Sequence, residues 1–246
     1  MDLRRKMKSQ TNARRFINAY NKIDYAIRVQ HGFKRSMSFS EVIRKAVPLN
    51  YIVRKYEDDL VDYGRLRNAI IHKSNDEYII AEPHEEIVEK IEHICELITT
   101  PPKAVEAIQD NNVLCVQNDV VVKDVIQLIA TSKFSNIPVY EKGGLIGVAN
   151  GQRILDEIGK QIASGNSIDK FIAETKIEEI LNASNNLNYY EVVSKDATIE
   201  EVLNLFTKNR KLIAVLITKT GTLNETPIGI VTSADVISLN DILDNY

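Results

Sequence analysis

The first hundred residues carry apolar positions at steps of three and four, which is the spacing of one buried helical face. The first such stripe consists of Phe16, Ile17, Tyr20, Ile23 and Ile27. Gly32 then suits the end of this helix. Further helices are predicted from Ser40 to Pro48, as one long stripe from Leu49 to Ile70, and after Pro83. Four helices joined by short links predict a bundle over residues 1–100.

After the break at "TTPPKAV" (99–105) the pattern changes to short apolar strands that alternate with helices, and it repeats. "VLCVQNDVVVKDVIQLI" (113–129) aligns with "YEVVSKDATIEEVLNLF" (190–206), and a hairpin and a helix follow in both copies. The predicted fold class is therefore α + α/β, a helical bundle followed by two βαββα copies, over 103–168 and 169–246. A duplication of this size implies a pseudo-twofold pair with a shared buried face.

Composition places these elements in a soluble globular protein. No apolar run approaches the roughly 18 residues of a transmembrane helix, and no apolar stretch follows the basic start, so neither a membrane span nor a signal peptide is predicted. Cys95 and Cys115 have no metal-ligand or redox spacing and are interpreted as buried intracellular thiols. We expect a cytoplasmic location and no bound metal.

Charge is unevenly distributed along the chain. Residues 1–55 carry 14 Lys and Arg against 3 Asp and Glu, whereas residues 56–100 carry 4 against 12. Two interpretations remain open: the basic segment is a surface for a polyanion such as RNA, or it pairs with the acidic residues of the following helices.

The second repeat contains "GIVTSAD" (229–235), which fits the Gly-x-x-Thr/Ser-x-x-Asp pattern of cystathionine-β-synthase (CBS) domains. Residues 103–246 resemble a tandem pair of these domains, a Bateman module. The resemblance implies a regulatory adenine nucleotide (AMP, ADP, ATP or cyclic di-AMP), with its ribose on Asp235 and its phosphate on Thr232. The full expected ligand set is Gly229, where the ligand would approach the backbone closely, Thr232, Ser233 and Asp235, with Val193 and Ile213 on the two sides of the adenine. The alternative is a degenerate copy in which Thr232 only caps a helix.

The first repeat departs from this pattern. It has "GVANGQR" (147–153), with Asn150 in place of the hydroxyl and Arg153 in place of the ribose carboxylate. We therefore expect one ribose-binding site. Arg153 is assigned either to ligand phosphates or to a surface or salt-bridge role.

The helical segment contains "DYGRLRNAIIHKS" (62–74), which resembles the motif of the HEPN (higher eukaryotes and prokaryotes nucleotide-binding) fold. The resemblance covers residues 10–100 and implies a homodimer whose two motifs form one metal-independent ribonuclease site. His72 would be the general acid–base, Arg67 the electrostatic stabiliser and Asn68 a positioning residue. On an ideal helix, Arg67 and His72 lie about 140° apart around the axis, so a single helix does not easily bring the two side chains together.

Other interpretations of this segment stay open. Arg67 could pair with Asp62 or Glu57, and the helical domain could dimerise or dock a partner without cutting RNA. His31, His84 and His93 are interpreted as surface residues. The main hypothesis is a nucleotide-sensing regulatory protein whose helical domain cleaves RNA. The rivals are a non-catalytic sensor or adaptor, and a CBS pair that serves only as an oligomerisation scaffold.

Overall fold

A computed structural model of the chain describes residues 11–71, 82–108, 113–132, 134–182 and 189–246. It divides into two compact units. The first contains residues 1–102 with two later pieces, 199–204 and 242–246, and the second contains residues 103–198 and 205–241. None of the described helices is both long and apolar enough to cross a membrane.

The first unit is built from helices. They are α1 Asn12–His31, α2 Phe39–Ala46, α3 Tyr51–Lys55, α4 Glu57–Ile71 and α5 Glu85–Thr99. The predicted stripe on α1 is largely confirmed, since Phe16, Ile23 and Ile27 are fully buried. Gly32 ends α1 with a φ of 66°, and its N–H donates to the carbonyl of Arg28. These described helices do not by themselves establish the HEPN fold.

Two helix boundaries differ from the prediction. The N-cap of α2 is Ser38 rather than Ser40, because the Ser38 hydroxyl accepts the N–H of Glu41. The stripe from Leu49 to Ile70 forms two helices, because Tyr56 lies at φ −111° and ψ 25° and interrupts the helical backbone. Its apolar period continues across the break, so periodicity alone could not reveal it.

Residues from the late part of the chain complete the first unit. The Glu200 carboxylate accepts the N–H of Tyr51 at 2.7 Å, and the Asn204 amide donates to the carbonyl of Leu49 at 3.0 Å. Lys55 forms an ion pair with Asp244 at 2.7 Å. Glu200 and Asn204 are each 7% exposed, so these buried polar side chains are satisfied by specific partners.

Most of the two predicted βαββα copies lies in the second unit, while residues 199–204 and 242–246 of the second copy belong to the first unit. The first copy consists of β1 Val116–Gln117, α7 Val122–Ser132, β2 Asn136–Glu141, β3 Gly144–Asn150 and α8 Gly151–Ala163. The second begins with β4 Tyr190–Ser194 and continues with α11 Ile199–Lys208, β5 Ala214–Thr218, β6 Gly229–Thr232 and α12 Val236–Asn245. Three short helices precede or link the copies: α6 Ala104–Ala107, α9 Ile168–Glu174 and α10 Ile177–Asn182.

Each copy has one three-stranded sheet with the same topology. The orders are β1-β2-β3 and β4-β5-β6, in which the first pair is parallel and the second antiparallel. Gly143 (φ 90°) and Gly221 (φ 84°) supply the left-handed backbone expected of the two hairpins. Tyr140, Leu145 and Val148 of the first copy pack with Tyr189 and Leu216 of the second. This cluster is the predicted shared face.

Candidate functional site

The register of the second sheet places the nucleotide motif beside an aromatic residue. Tyr190 on β4 pairs with Ala214 on β5, and Ala214 pairs with Thr232 on β6. Because residues opposite each other point to the same face, Tyr190 and Thr232 share a face at a separation of two strand spacings, about 9.5 Å. Tyr190 is half-buried, and burial raises the pKa of its hydroxyl above the ordinary value.

Thr232 and Asp235 form a closed hydrogen-bonded pair at the end of β6. The Thr232 N–H donates to Oδ2 of Asp235 at 2.7 Å, and the Thr232 hydroxyl donates to the same oxygen at 2.8 Å. A short 3₁₀ turn, Ser233–Asp235, holds this arrangement before α12 begins. The Asp235 carboxylate is thereby fixed in direction while the residue stays exposed.

Close packing is one reason why position 229 of the motif is a glycine. A Cβ at Gly229 would stand 2.7 Å from Cδ1 of Ile108, which lies in the segment before the first copy. Gly147 repeats this relation in the first copy, where a Cβ would meet the side chain of Leu181 at 3.0 Å. Both glycines therefore admit an apolar side chain from the other copy's linker: Leu181, from the segment before the second copy, at Gly147, and Ile108, from the segment before the first copy, at Gly229. This reason stands beside the expected close approach of a ligand at Gly229.

The two residues expected around adenine do not lie together along the sheet. Val193 pairs with Ile217, which in turn pairs with Gly229. Ile213 immediately precedes Ala214, so four residues of β5, about 13 Å, separate the two positions. Ile213 is therefore close to the row of Thr232, and Val193 is not. Tyr190 was missed by sequence reasoning, although the pair Tyr189–Tyr190 before an apolar strand is a visible aromatic signal.

The first copy presents different chemistry at the corresponding place. Oδ1 of Asn150 accepts the N–H groups of Gln152 (3.0 Å) and Arg153 (3.3 Å) and so caps α8. The guanidinium carbon of Arg153 lies 3.3 Å from the ring centroid of Tyr189. Arg153 is half-buried, and the part of the chain that the structure describes offers it no carboxylate partner. The expected salt-bridge role is thus not observed.

In the helical unit, Arg67 packs on an aromatic ring. Its guanidinium carbon lies 5.8 Å from the Tyr20 centroid, and Nη1 donates to Oδ1 of Asn68 at 3.3 Å. Asp62 pairs with Arg65 instead. Among the described residues no carboxylate forms an ion pair with Arg67. His72 lies outside the described residues.

The predictions for the cysteines and for the remaining histidines are confirmed at some positions and wrong at others. Cys95 is buried, which raises the pKa of its thiol, but Cys115 is exposed, so the prediction of two buried thiols is wrong for Cys115. His84 is exposed as expected, whereas His31 and His93 are half-buried and their Nε2 atoms have no partner in the described ranges. Within those ranges no three His, Cys, Asp or Glu side chains are grouped as a metal site would require.

The repeated segment is similar to a known protein family. Residues 105–160 and 187–241 each match the CBS domain family. No curated protein matches the chain. Among solved structures, the chain is similar to a CBS-domain-containing protein from Agrobacterium tumefaciens at 14% identity and a TM-score of 0.43, over 56% of this chain and 98% of that one.

Two further structures show a similar extent of match. One is the CBS domain pair of protein MJ0100 in complex with 5′-methylthioadenosine and S-adenosyl-L-methionine, at 15% identity and a TM-score of 0.39, over 57% of this chain and 97% of that one. The other is the CBS domain of the bacterial CNNM/CorC family Mg²⁺ transporter in complex with ATP, at 22% identity and a TM-score of 0.44, over 64% and 96%. Residues 105–160 and 187–241 are a tandem pair of CBS domains.

Proposed function

We propose that the second CBS domain binds an adenine nucleotide and that the chain is a cytoplasmic regulatory protein that senses this ligand. The observation that carries the proposal is the exposed Asp235 carboxylate, held by two hydrogen bonds from Thr232 at the end of β6. A carboxylate whose direction is fixed before binding loses little entropy when it accepts the two hydroxyls of a ribose.

The neighbouring residues suit the other parts of a nucleotide. The Thr232 hydroxyl is engaged with Asp235, so its role is to position the carboxylate, and the exposed Ser233 hydroxyl is the better donor for a phosphate. Ile213 and Tyr190 provide an apolar and an aromatic surface near the Thr232 row for the base. Gly229 and Val193 lie farther along the same sheet, on the row of Ile217, and we assign them to the border of the nucleotide site.

Isothermal titration with AMP, ADP, ATP and cyclic di-AMP tests this assignment. We expect saturable binding of at least one nucleotide, weakened about tenfold to a hundredfold in Asp235→Ala through loss of the charged hydrogen bonds. Asp169→Asn, at an exposed carboxylate on α9, is the matched control and should bind as wild type does. Equal affinity of Asp235→Ala and wild type would refute the ribose assignment, and no binding at all would favour the scaffold alternative.

A second candidate function concerns the helical unit, where we propose metal-independent RNA cleavage by a homodimer. The observation that favours it is the guanidinium of Arg67, which packs on Tyr20 without a carboxylate partner in the described part of the chain. Such a cation can stabilise charge on a phosphate. His72 would move the proton, and Asn68 would hold Arg67 through their hydrogen bond.

Incubation of purified protein with labelled RNA, with and without the nucleotide, separates an enzyme from an adaptor. We expect cleavage that His72→Ala and Arg67→Gln abolish and that Arg65→Gln, an exposed arginine paired with Asp62, leaves intact. Cleavage that persists in His72→Ala would identify a contaminant. No cleavage under any nucleotide condition would leave the helical unit as a docking or dimerisation domain. A change in rate with nucleotide would show that the two sites are coupled.

A further inference from the structure

The first CBS domain carries a positive charge at the position where the second carries its ribose carboxylate. Arg153 ends the heptapeptide 147–153 as Asp235 ends 229–235. Because the charge at this equivalent position is reversed, the residue must recognise a different kind of ligand group. A carboxylate accepts hydrogen bonds from hydroxyls, whereas a guanidinium only donates and needs an acceptor, best an anionic one.

Tyr189 fixes the guanidinium in place. The guanidinium carbon of Arg153 is 3.3 Å from the ring centroid, well inside the range of a cation–π contact. Tyr189 itself is 6% exposed and belongs to the buried cluster between the two sheets. The long Arg153 side chain is therefore supported by a rigid surface, which reduces the conformational entropy that a ligand would have to remove.

The charge of Arg153 is not neutralised within the described chain. No Asp or Glu there forms an ion pair with it, and its Nη1 is buried without a hydrogen-bond acceptor. A partly desolvated cation is costly unless it is paired. The ring of Tyr189 compensates only part of this cost, because a cation–π contact satisfies no N–H group.

The start of α8 strengthens the preference for an anion but does not provide the donors. The N–H groups of Gln152 and Arg153 are both taken by Asn150, and that of Gly151 donates to the carbonyl of Ser135. The helix dipole still favours negative charge here, since α8 is 13 residues long. Recognition is thus left to the guanidinium, whose planar fork matches two oxygens of a phosphoryl group.

We propose that the first CBS domain binds a phosphoryl anion through Arg153 stacked on Tyr189. Arg153 and Asp235 belong to different copies, and the proposal does not depend on the ribose assignment. The phosphoryl group belongs either to a free phosphate or pyrophosphate or to a nucleotide, and both sources offer the same oxygens to the guanidinium.

Titration of the full chain with pyrophosphate at low ionic strength tests the proposal. We expect saturable binding that Arg153→Gln weakens about tenfold or more through loss of a charge-assisted, bidentate contact. Arg153→Lys keeps the charge without the planar fork and should lie between the two. Lys160→Gln removes a cation from the same helix, one that is already paired with Glu157, and should bind as wild type does.

Two further measurements separate this site from the nucleotide site. Asp235→Ala should retain full pyrophosphate affinity, so failure of the ribose assignment would not affect this result. Adenosine should not displace pyrophosphate, because it lacks a phosphate. Displacement by AMP from Asp235→Ala would identify nucleotides as a source at this site, and its absence would identify free phosphates. Both outcomes support a phosphoryl site.

Three results would overturn the proposal. They are no pyrophosphate binding to wild type at millimolar concentration, equal affinity of Arg153→Gln and wild type, and displacement by adenosine. Thermal unfolding monitored by circular dichroism establishes that each variant is folded. If Arg153→Gln does not fold, Arg153→Lys and the wild-type adenosine competition still decide the question.

Discussion

At the two motif glycines, side chains from the segments that precede the two copies occupy the space that a Cβ would fill. Leu181 and the hydroxyl of Tyr189 crowd Gly147, and Ile108 crowds Gly229. Neither glycine has a positive φ, so backbone strain does not explain them. The glycines are required by close packing, which at Gly147 involves two neighbours rather than one.

Gly147→Ala should destabilise the protein by about 1–3 kcal/mol, because the added methyl group must displace Leu181 and Tyr189 within a packed cluster. Gly159→Ala is the control: it lies inside α8 with nothing within 4 Å of a Cβ, and should stabilise by about 0.5–1 kcal/mol. Urea unfolding at equilibrium measures both changes. A neutral effect of Gly147→Ala would show that Leu181 can move without cost.

The burial of His31 predicts that the protein loses stability in mild acid. Burial lowers the pKa of its imidazole below the ordinary value of about 6.5. The unfolded chain therefore takes up a proton as pH falls through about 6.5 while the folded chain resists it, so stability decreases below that pH. The free energy of unfolding should drop between about pH 7.5 and 5.5, and the drop should shrink in His31→Gln.

The exposed His84 provides the comparison for this experiment. His84→Gln should keep the wild-type difference in unfolding free energy between the two pH values. If His31→Gln also keeps that difference, burial of the imidazole is not the cause of the acid sensitivity.

Some of the site residues could be predicted from the sequence, and others could not. The positions of Thr232 and Asp235 follow from a local motif, and the structure places both at the end of β6. The contact of Arg153 with Tyr189 joins residues 36 positions apart, on opposite sides of a linker. No local pattern encodes such a contact. The pairing register that separates Val193 from Ile213 likewise emerges only when three strands are aligned.

At the scale of elements, the linker before each copy forms backbone hydrogen bonds with the start of a helix in the other copy. The segment before the second copy bonds to the start of α7 through Val122 N–H to Thr175 O (2.9 Å) and Ile177 N–H to Val120 O (2.8 Å). The segment before the first copy repeats this at the start of α11, through Ile199 N–H to Pro102 O (2.9 Å) and Ala104 N–H to Ala197 O (2.9 Å). The duplication therefore extends to the linkers, which lie outside the aligned segments 113–129 and 190–206.

Ile177→Ala should cost about 2–5 kcal/mol, because Ile177 is fully buried in the core of the first copy while it belongs to the linker before the second. Ile162→Ala, at a position that is 63% exposed on α8, should change stability by no more than about 0.5 kcal/mol. Denaturant unfolding followed by circular dichroism compares the two. Similar small effects would indicate that the linker does not contribute to the core of the first copy.

Element boundaries were the least predictable part of the fold. The helices and strands themselves follow from their apolar period, and both βαββα copies have the predicted order. The break at Tyr56 and the cap at Ser38 depend on backbone dihedrals and single hydrogen bonds, to which a period of apolar residues is insensitive. Such details move a helix end by two residues without changing which face is buried.

At the scale of the whole molecule, the basic first segment is partly neutralised and partly free. Arg15 bonds to both Glu85 and Glu92, as expected if the segment pairs with acidic helices. Arg14 and Lys22 project from an exposed face of α1 and form no ion pair among the described residues. The pairing interpretation is therefore confirmed for Arg15, whereas the polyanion interpretation stays a prediction that concerns Arg14 and Lys22. Only the unpaired ones can release counterions when a polyanion binds.

RNA binding, if it uses the exposed face of α1, should weaken steeply with salt, because each neutralised phosphate releases condensed cations. We expect the logarithm of affinity to fall linearly with the logarithm of salt concentration, and the slope to decrease by about one for each of Arg14→Gln and Lys22→Gln. Lys45→Gln should leave the slope unchanged, because Lys45 already pairs with Glu41. Fluorescence anisotropy with a labelled single-stranded RNA measures these slopes. A slope that none of the variants alters would assign any RNA contact to another surface and leave α1 as a helix whose exposed cations serve solubility alone.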